Sequence, residues 1–97
     1  MENNKELLED LSDNIANYIL PRLEFFRKEG KTFPAKFNNS QEWLEILDKI
    51  ILGFETYKNR YYDEDIVLGT DKKLKHKWDI IQEGLDLFAK YFKYLHE

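Results

Sequence analysis

The sequence predicts an all-α fold, a three-helix antiparallel bundle formed by a single domain over residues 1–97. Three long segments repeat apolar residues at spacings of three and four, which is the period of a helix with one buried face. Only two prolines and four glycines interrupt the chain. A hydrophobic content of 42% beside 35% charged residues is typical of an ordered globular domain, and 97 residues suit one such domain.

The first predicted helix runs from about Lys5 to Glu29. Its apolar stripe is Leu8, Leu11, Ile15, Ile19, Leu23 and Phe26. Pro21 lies inside this segment and has no amide hydrogen to donate to the carbonyl of Asn17, so we expect the helix to be kinked or broken there. Gly30 is the expected stop.

The second predicted helix runs from about Ser40 to Arg60, and Asn39 with Glu42 three residues later predicts a capping box at its start. Its apolar stripe is Trp43, Ile46, Leu47, Ile50, Phe54, Tyr57 and Tyr61. Gly53 lies in mid-helix, where glycine costs up to about 1 kcal/mol relative to alanine. We therefore expect it to mark a crossing with another helix.

The third predicted helix runs from about Asp71 to Leu95 and carries two apolar stripes. The stripe expected to face the core is Leu74, Trp78, Ile81, Leu85, Phe88, Phe92 and Leu95. The other, about 120° round the helix, is Ile80, Leu87, Tyr91 and Tyr94. A helix with two apolar stripes contacts two neighbours, either two helices of the bundle or one helix and another chain. Gly84, like Gly53, is expected at a helix crossing.

Composition excludes several classes of function. The chain has no cysteine, which excludes disulfides, thiolate zinc sites and cysteine nucleophiles. Its two histidines, His76 and His96, have no ligand-spaced partner on the same helix, so we expect no metal and no cofactor. A net charge of −4 argues against general nucleic-acid binding. The longest strongly apolar stretch, residues 50–54, is much shorter than the roughly 20 residues of a membrane span, and residues 1–6 lack a signal peptide's apolar run. The expected location is cytoplasmic.

Three blocks of the chain resemble a known family. They are residues 15–23 (IANYILPRL), residues 43–51 (WLEILDKII) followed by Phe54 and Glu55, and residues 83–92 (EGLDLFAKYF). In that order they are similar to small helical proteins encoded by tailed bacteriophages and prophages, a family with no established activity. The resemblance implies a viral origin, and therefore a place in the host cytoplasm or in the virion, and it transfers no site residues.

Two acidic pairs supply one alternative function. Glu42-x-x-Glu45 and Glu83-x-x-Asp86 resemble the motifs of all-α nucleoside triphosphate pyrophosphohydrolases, in which four carboxylates from two helices hold Mg²⁺. At about 100° per residue, however, Glu45 lies almost opposite its helix's apolar stripe and Asp86 lies within a polar face. We therefore expect these carboxylates to point into solvent and expect no catalytic residue.

A basic cluster supplies a second alternative, a small nucleic-acid-binding regulator. The candidate anion-binding residues are Lys72, Lys73, Lys75 and Lys77. Lysines at a helix start are unfavourable for the helix dipole, which indicates a role other than helix stability. In nucleic-acid binding, lysine side chains hold phosphate and a neighbouring aromatic ring stacks on a base. Trp78 follows them, but we expect its ring to lie in the core, and the acids Asp63, Glu64, Asp65 and Asp71 lie close by in sequence.

Aromatic residues make up 15% of the chain, more than an interior of this size requires. Tyrosine combines apolar area with a polar tip, a profile enriched at protein interfaces. The interface candidates are Tyr57, Tyr61, Tyr62, Tyr91 and Tyr94. The preferred function is a non-enzymatic phage accessory protein that binds another protein, either its own copy in a homo-oligomer or a host factor. Inhibition of a host enzyme or defence component fits this description, and so does a minor virion component.

Overall fold

The computed structural model describes residues 10–96, which form a mostly helical fold with a small two-stranded sheet. The helices are α1 (Leu11–Glu29), α2 (Ser40–Lys58) and α3 (Lys77–Tyr91), and a 3-10 turn (Phe92–Tyr94) follows α3. Strands β1 (Ile66–Leu68) and β2 (Leu74–His76) pair antiparallel between α2 and α3. The predicted start of the first helix at Lys5 lies outside the described residues. In the described part of the chain, no helix has the length and apolar character needed to cross a membrane.

Helix α1 runs through Pro21 without interruption, so it is not divided into two helices there. Leu20 and Leu23, on either side of the proline, are buried, and their packing offsets the one hydrogen bond that proline removes. The helix ends at Gly30, whose amide donates to the carbonyl oxygen of Phe26 over 2.8 Å. The predicted stop at Gly30 is confirmed.

Helix α2 lies at the centre of the fold, because both α1 and α3 pack on it. The amide of Glu42 donates to the side-chain oxygen of Asn39 over 3.2 Å, which confirms the predicted N-cap. Two core clusters form along α2, one with α1 and one with the end of α3. The first consists of Ala16, Leu20, Leu23, Ile50 and Phe54, and the second of Trp43, Leu47 and Tyr91.

The predicted helical fold is confirmed in its coarse form, but the predicted start of the third helix near Asp71 is wrong, because residues 66–76 form a small β-hairpin. The chain reverses at residues 69–73, where the amide of Gly69 donates to the carbonyl oxygen of Lys73 over 2.9 Å. The Asp71 carboxylate accepts the amide of Lys73 at 3.0 Å. An aspartate that bonds the backbone two residues ahead stabilises a turn and competes with a helix. Lys72, between them, has a left-handed φ of 67°.

Helices α2 and α3 cross at the two mid-helix glycines. A Cβ built on Gly53 would lie 2.8 Å from the Cα of Gly84, and a Cβ built on Gly84 would lie 2.7 Å from the Cα of Gly53. Both distances are below any ordinary carbon–carbon contact, so no other residue fits at either position without movement. The predicted crossing is confirmed.

Helix α3 buries residues from both predicted stripes, on the side that carries Gly84. The residues it buries are Ile80, Ile81, Gly84 and Tyr91. Most of the stripe expected in the core is exposed: Leu74 (72%), Trp78 (49%), Leu85 (41%) and Phe92 (63%). The reason is that Gly84 lies one turn after both Ile80 and Ile81, and only the side that carries the glycine can approach α2 closely.

Candidate functional site

An apolar groove opens between α1 and α3, with α2 as its floor. It is lined by Ser12, Ile15 and Ala16 of α1, Gly53, Phe54 and Tyr57 of α2, and Ile81 and Leu85 of α3. Its volume of about 190 Å³ is below the roughly 300 Å³ at which small-molecule pockets begin. The space therefore suits an inserted side chain from another protein better than a small-molecule ligand.

Both helices beside the groove carry exposed apolar side chains. On α1, Leu11 is 55% and Ile15 is 51% exposed. Trp78 and Leu85 of α3, and Phe92 in the 3-10 turn that follows, are between 41% and 63% exposed and recur every seven residues. Ile15 and Leu85 line the groove itself.

A polar network closes one end of the groove and holds Tyr57 in place. The hydroxyl groups of Ser12 and Tyr57 are hydrogen-bonded to each other. The Arg60 guanidinium lies 2.8 Å from the Asp13 carboxylate and stacks 3.9 Å from the centre of the Tyr57 ring. The hydrogen bond from Arg60 lowers the pKa of Asp13, and the same bond raises the pKa of Arg60. Tyr57 is half-buried in this network rather than free at the surface.

Tyr61 and Tyr62 are the most exposed of the interface candidates, at 81% and 87%. The Arg60 guanidinium also lies 4.5 Å from the centre of the Tyr61 ring. The adjoining hairpin adds apolar area, because Leu68 pairs with Leu74 and side chains opposite each other share one face of a sheet. That face also carries Ile66 and is exposed. We call this region the tyrosine–hairpin surface: Tyr61, Tyr62, Ile66, Leu68 and Leu74.

The other two interface candidates pack inside the fold. Tyr91 is only 5% exposed and belongs to the core, which corrects its prediction as an interface residue. The centroid of the Tyr91 ring lies 5.8 Å from the ring centroid of Phe37 and 5.8 Å from that of Trp43. Tyr94 is half-buried beside Tyr91, with the two ring centroids 6.2 Å apart. These rings are needed in the interior because α3 approaches α2 on this side.

The four predicted anion-binding lysines lie on the hairpin and at the first residue of α3, not along a helix. Lys72 and Lys73 are exposed, whereas Lys75 pairs with Asp71 over 3.2 Å. The Lys77 side chain is 12% exposed, and its ammonium donates to two backbone carbonyl oxygens of the turn after α2, at 2.6 and 3.1 Å. Lys77 therefore fixes the turn to α3. Trp78, expected in the core, is 49% exposed instead.

The four predicted carboxylates do not share a site. They are Glu42, Glu45, Glu83 and Asp86, and all four are exposed. Asp86 accepts a hydrogen bond from Gln82 at 2.8 Å, an interaction within one helix face. Among residues 10–96, no group of three or more histidine, aspartate or glutamate residues could hold a metal ion.

One carboxyl pair does join two helices. Glu55 of α2 is half-buried beside Glu24 of α1. Burial raises the pKa of Glu55, and the neighbouring Glu24 raises it further. The two carboxyl groups therefore stabilise the contact between α1 and α2 better when Glu55 is protonated than when it is ionised.

The groove itself was missed by sequence reasoning, which placed Ile15 and Leu85 in the core. The signal that identifies the exposed stripe is the position of Gly84 among the residues of the other stripe. The fold and this groove define a small helical domain in which α1 and α3 both pack on α2 and leave an apolar groove between them. The chain matches no family model, no curated protein and no solved structure.

Proposed function

We propose that this chain is a non-enzymatic protein-binding domain, an accessory protein of the phage class that its three sequence blocks resemble. The observation that carries the proposal is the amount of apolar surface. Within residues 10–96, thirteen large hydrophobic side chains are exposed, whereas ten hydrophobic residues form the buried core. Monomeric proteins rarely expose contiguous apolar patches of more than a few hundred Å² without using them for binding.

The residue types at this surface support a protein partner. Tyrosine and tryptophan dominate the binding energy of protein interfaces because each buries a large rigid area and keeps one polar tip. Trp78, Tyr61 and Tyr62 are of these types and are exposed. Inhibition of a host enzyme or defence component and a minor role in the virion both use such a surface.

The proposal includes the arrangement of the helices, an antiparallel three-helix bundle with a bend in α1 at Pro21. Two ion pairs join α1 to α2 or to the turn directly after α2, and two ring contacts join α2 to α3. Each set runs in opposite directions along its two helices, which supports the antiparallel order. They are Asp13–Arg60 and Arg27–Asp48, and Trp43–Tyr91 and Tyr57–Trp78. This order places the groove between α1 and α3.

The test is capture of a partner by the immobilised full chain, from host-cell lysate and from a solution of the chain itself. We expect Trp78→Glu or Tyr61→Glu to abolish capture of the partner. Phe33→Glu is the matched control, since Phe33 is also exposed and aromatic but lies in the loop before α2. A strictly monomeric chain that captures nothing would contradict the proposal.

Two further measurements test the alternatives. Release of phosphate from nucleoside triphosphates with Mg²⁺ above background would favour the hydrolase. Retention of labelled DNA or RNA at moderate salt would favour the nucleic-acid regulator, because purely electrostatic binding weakens steeply as salt rises. We expect neither.

A further inference from the structure

We infer that the groove between α1 and α3 is where a second copy of this chain binds, with α1 of each copy packed along the groove of the other. The inference rests on the proposed protein-binding function and names the partner for one of its two surfaces. The tyrosine–hairpin surface stays free for a different protein.

The spacing of the exposed residues indicates that the partner is a helix. On α1, Leu11, Tyr18 and Phe25 recur every seven residues and are between 55% and 67% exposed. Trp78, Leu85 and Phe92 have the same spacing. A seven-residue recurrence of large apolar side chains is the pattern by which one helix inserts its side chains between those of another.

Helix α1 supplies both halves of such a contact, which is why a second copy fits. Its residue Ile15 lines the groove, and Leu11 and Tyr18, one turn before and one turn after, extend the same exposed stripe. In a dimer with two-fold symmetry the same patch serves on both chains, so one surface explains the exposed stripe and the groove together.

The size of the surface matches what a stable dimer buries. Leu11, Ile15, Trp78, Leu85 and Phe92 are each about half exposed. Side chains of roughly 150 to 250 Å² each then leave on the order of 500 Å² of apolar surface per copy. A standard interface buries about 800 Å² per partner, of which roughly 60% is apolar. The two areas agree.

The charges also permit self-association. The residues that line the groove are Ser12, Ile15, Ala16, Gly53, Phe54, Tyr57, Ile81 and Leu85, and at neutral pH all of them are uncharged. Arg22, which interrupts the stripe on α1, folds its guanidinium onto the Tyr18 ring at 3.6 Å. Two copies would therefore meet without placing like charges opposite each other inside the groove.

The test is the mass of the full chain in solution, measured by sedimentation velocity and light scattering from about 1 µM to 1 mM, a range that covers weak and tight interfaces. We expect the wild-type chain to reach twice its monomer mass, and we expect Ile15→Glu and Leu85→Glu each to raise the dimer dissociation constant at least tenfold. Ile66→Glu is the matched control, because Ile15 and Ile66 are the same residue type and both are 51% exposed. Leu68→Glu, at 51% exposure, is the control for Leu85→Glu. Both controls are expected to leave the dissociation constant unchanged within about twofold, and far-UV circular dichroism verifies that each variant is folded.

Two results would overturn the inference. The first is a wild-type chain that stays monomeric over the whole range. If that chain still captures a host protein, the proposed function stands and only the second-copy partner is refuted. The second is a dimer that Ile66→Glu dissociates as strongly as Ile15→Glu does, since self-association would then use the tyrosine–hairpin surface and not the groove.

Discussion

Alanine at either of the crossing glycines should destabilise the protein, although alanine is the better helix former. In Gly53→Ala the new Cβ would lie 2.8 Å from the Cα of Gly84, and 3.3 Å from the carbonyl oxygen of Ile80. In Gly84→Ala it would lie 2.7 Å from the Cα of Gly53 and 3.1 Å from the carbonyl oxygen of Lys49. All of these atoms belong to the backbone, so no side chain can rotate away and the two helices must separate.

The magnitude follows from two opposing effects. The helix propensity of alanine gains up to about 1 kcal/mol over glycine. Forcing an extra carbon into a packed interface costs typically about 1–3 kcal/mol, and the cost is at the high end where backbone meets backbone. Separation also weakens the dispersion contacts around the buried residues Phe54 and Ile80 on either side of the crossing. We expect a net loss of about 2 kcal/mol, which lowers the melting temperature by roughly 8–16 °C in a domain of this size.

Urea and thermal unfolding followed by far-UV circular dichroism measure this loss. Ala89→Gly is the control, because Ala89 is exposed on the same helix as Gly84 and reports the propensity difference without the crossing. It should lose about 1 kcal/mol or less. The double variant Gly53→Ala/Gly84→Ala should lose less than the two single losses combined, since the first Cβ already separates the helices. A Gly53→Ala variant as stable as the wild type would refute the backbone contact.

Three further predictions concern the hairpin and two carboxyl groups. Lys72→Gly should stabilise the protein against urea by up to about 1 kcal/mol, because glycine adopts the left-handed φ of 67° without strain, whereas Lys73→Gly should destabilise it. Asp13→Asn should lower the melting temperature at neutral pH but not in acid. The hydrogen bond from Arg60 lowers the pKa of Asp13 in the folded state. The stabilisation is therefore present above pH 3.8 and is lost as the pH falls further. Glu55→Gln should raise the melting temperature at neutral pH, because burial raises the pKa of Glu55 in the folded state. The stability linked to the protonated form of Glu55 is present below pH 4.5 and is lost as the pH rises. Thermal unfolding between pH 3 and pH 8 tests both, and a shift that does not change with pH would contradict either one.

The parts of the fold that sequence reasoning predicted correctly depend on local chemistry. The cap at Asn39 and the stop at Gly30 follow from single residues and their nearest backbone groups. The hairpin was missed because strands of three residues are too short to show a period of two, and because Leu74 continues the apolar spacing of α3. The deciding features are the hydrogen bond that the Asp71 carboxylate accepts from the Lys73 amide and the left-handed φ of Lys72, which a helix cannot accommodate.

The choice between the two stripes of α3 depends on tertiary geometry, and it decides the function proposed here. Burying a large apolar side chain stabilises a fold by roughly 1.5–3 kcal/mol whichever stripe it belongs to, so hydrophobicity alone does not select one. The backbone of α2 determines which side of α3 is buried, because Gly53 permits close approach only against another glycine. Once Gly84 faces Gly53, its side of α3 is buried and the opposite side is not. The residues left outside are Trp78, Leu85 and Phe92. Their exposure is thus a consequence of the glycine crossing, and in the proposed dimer a helix of the second copy would restore the burial that the crossing prevents.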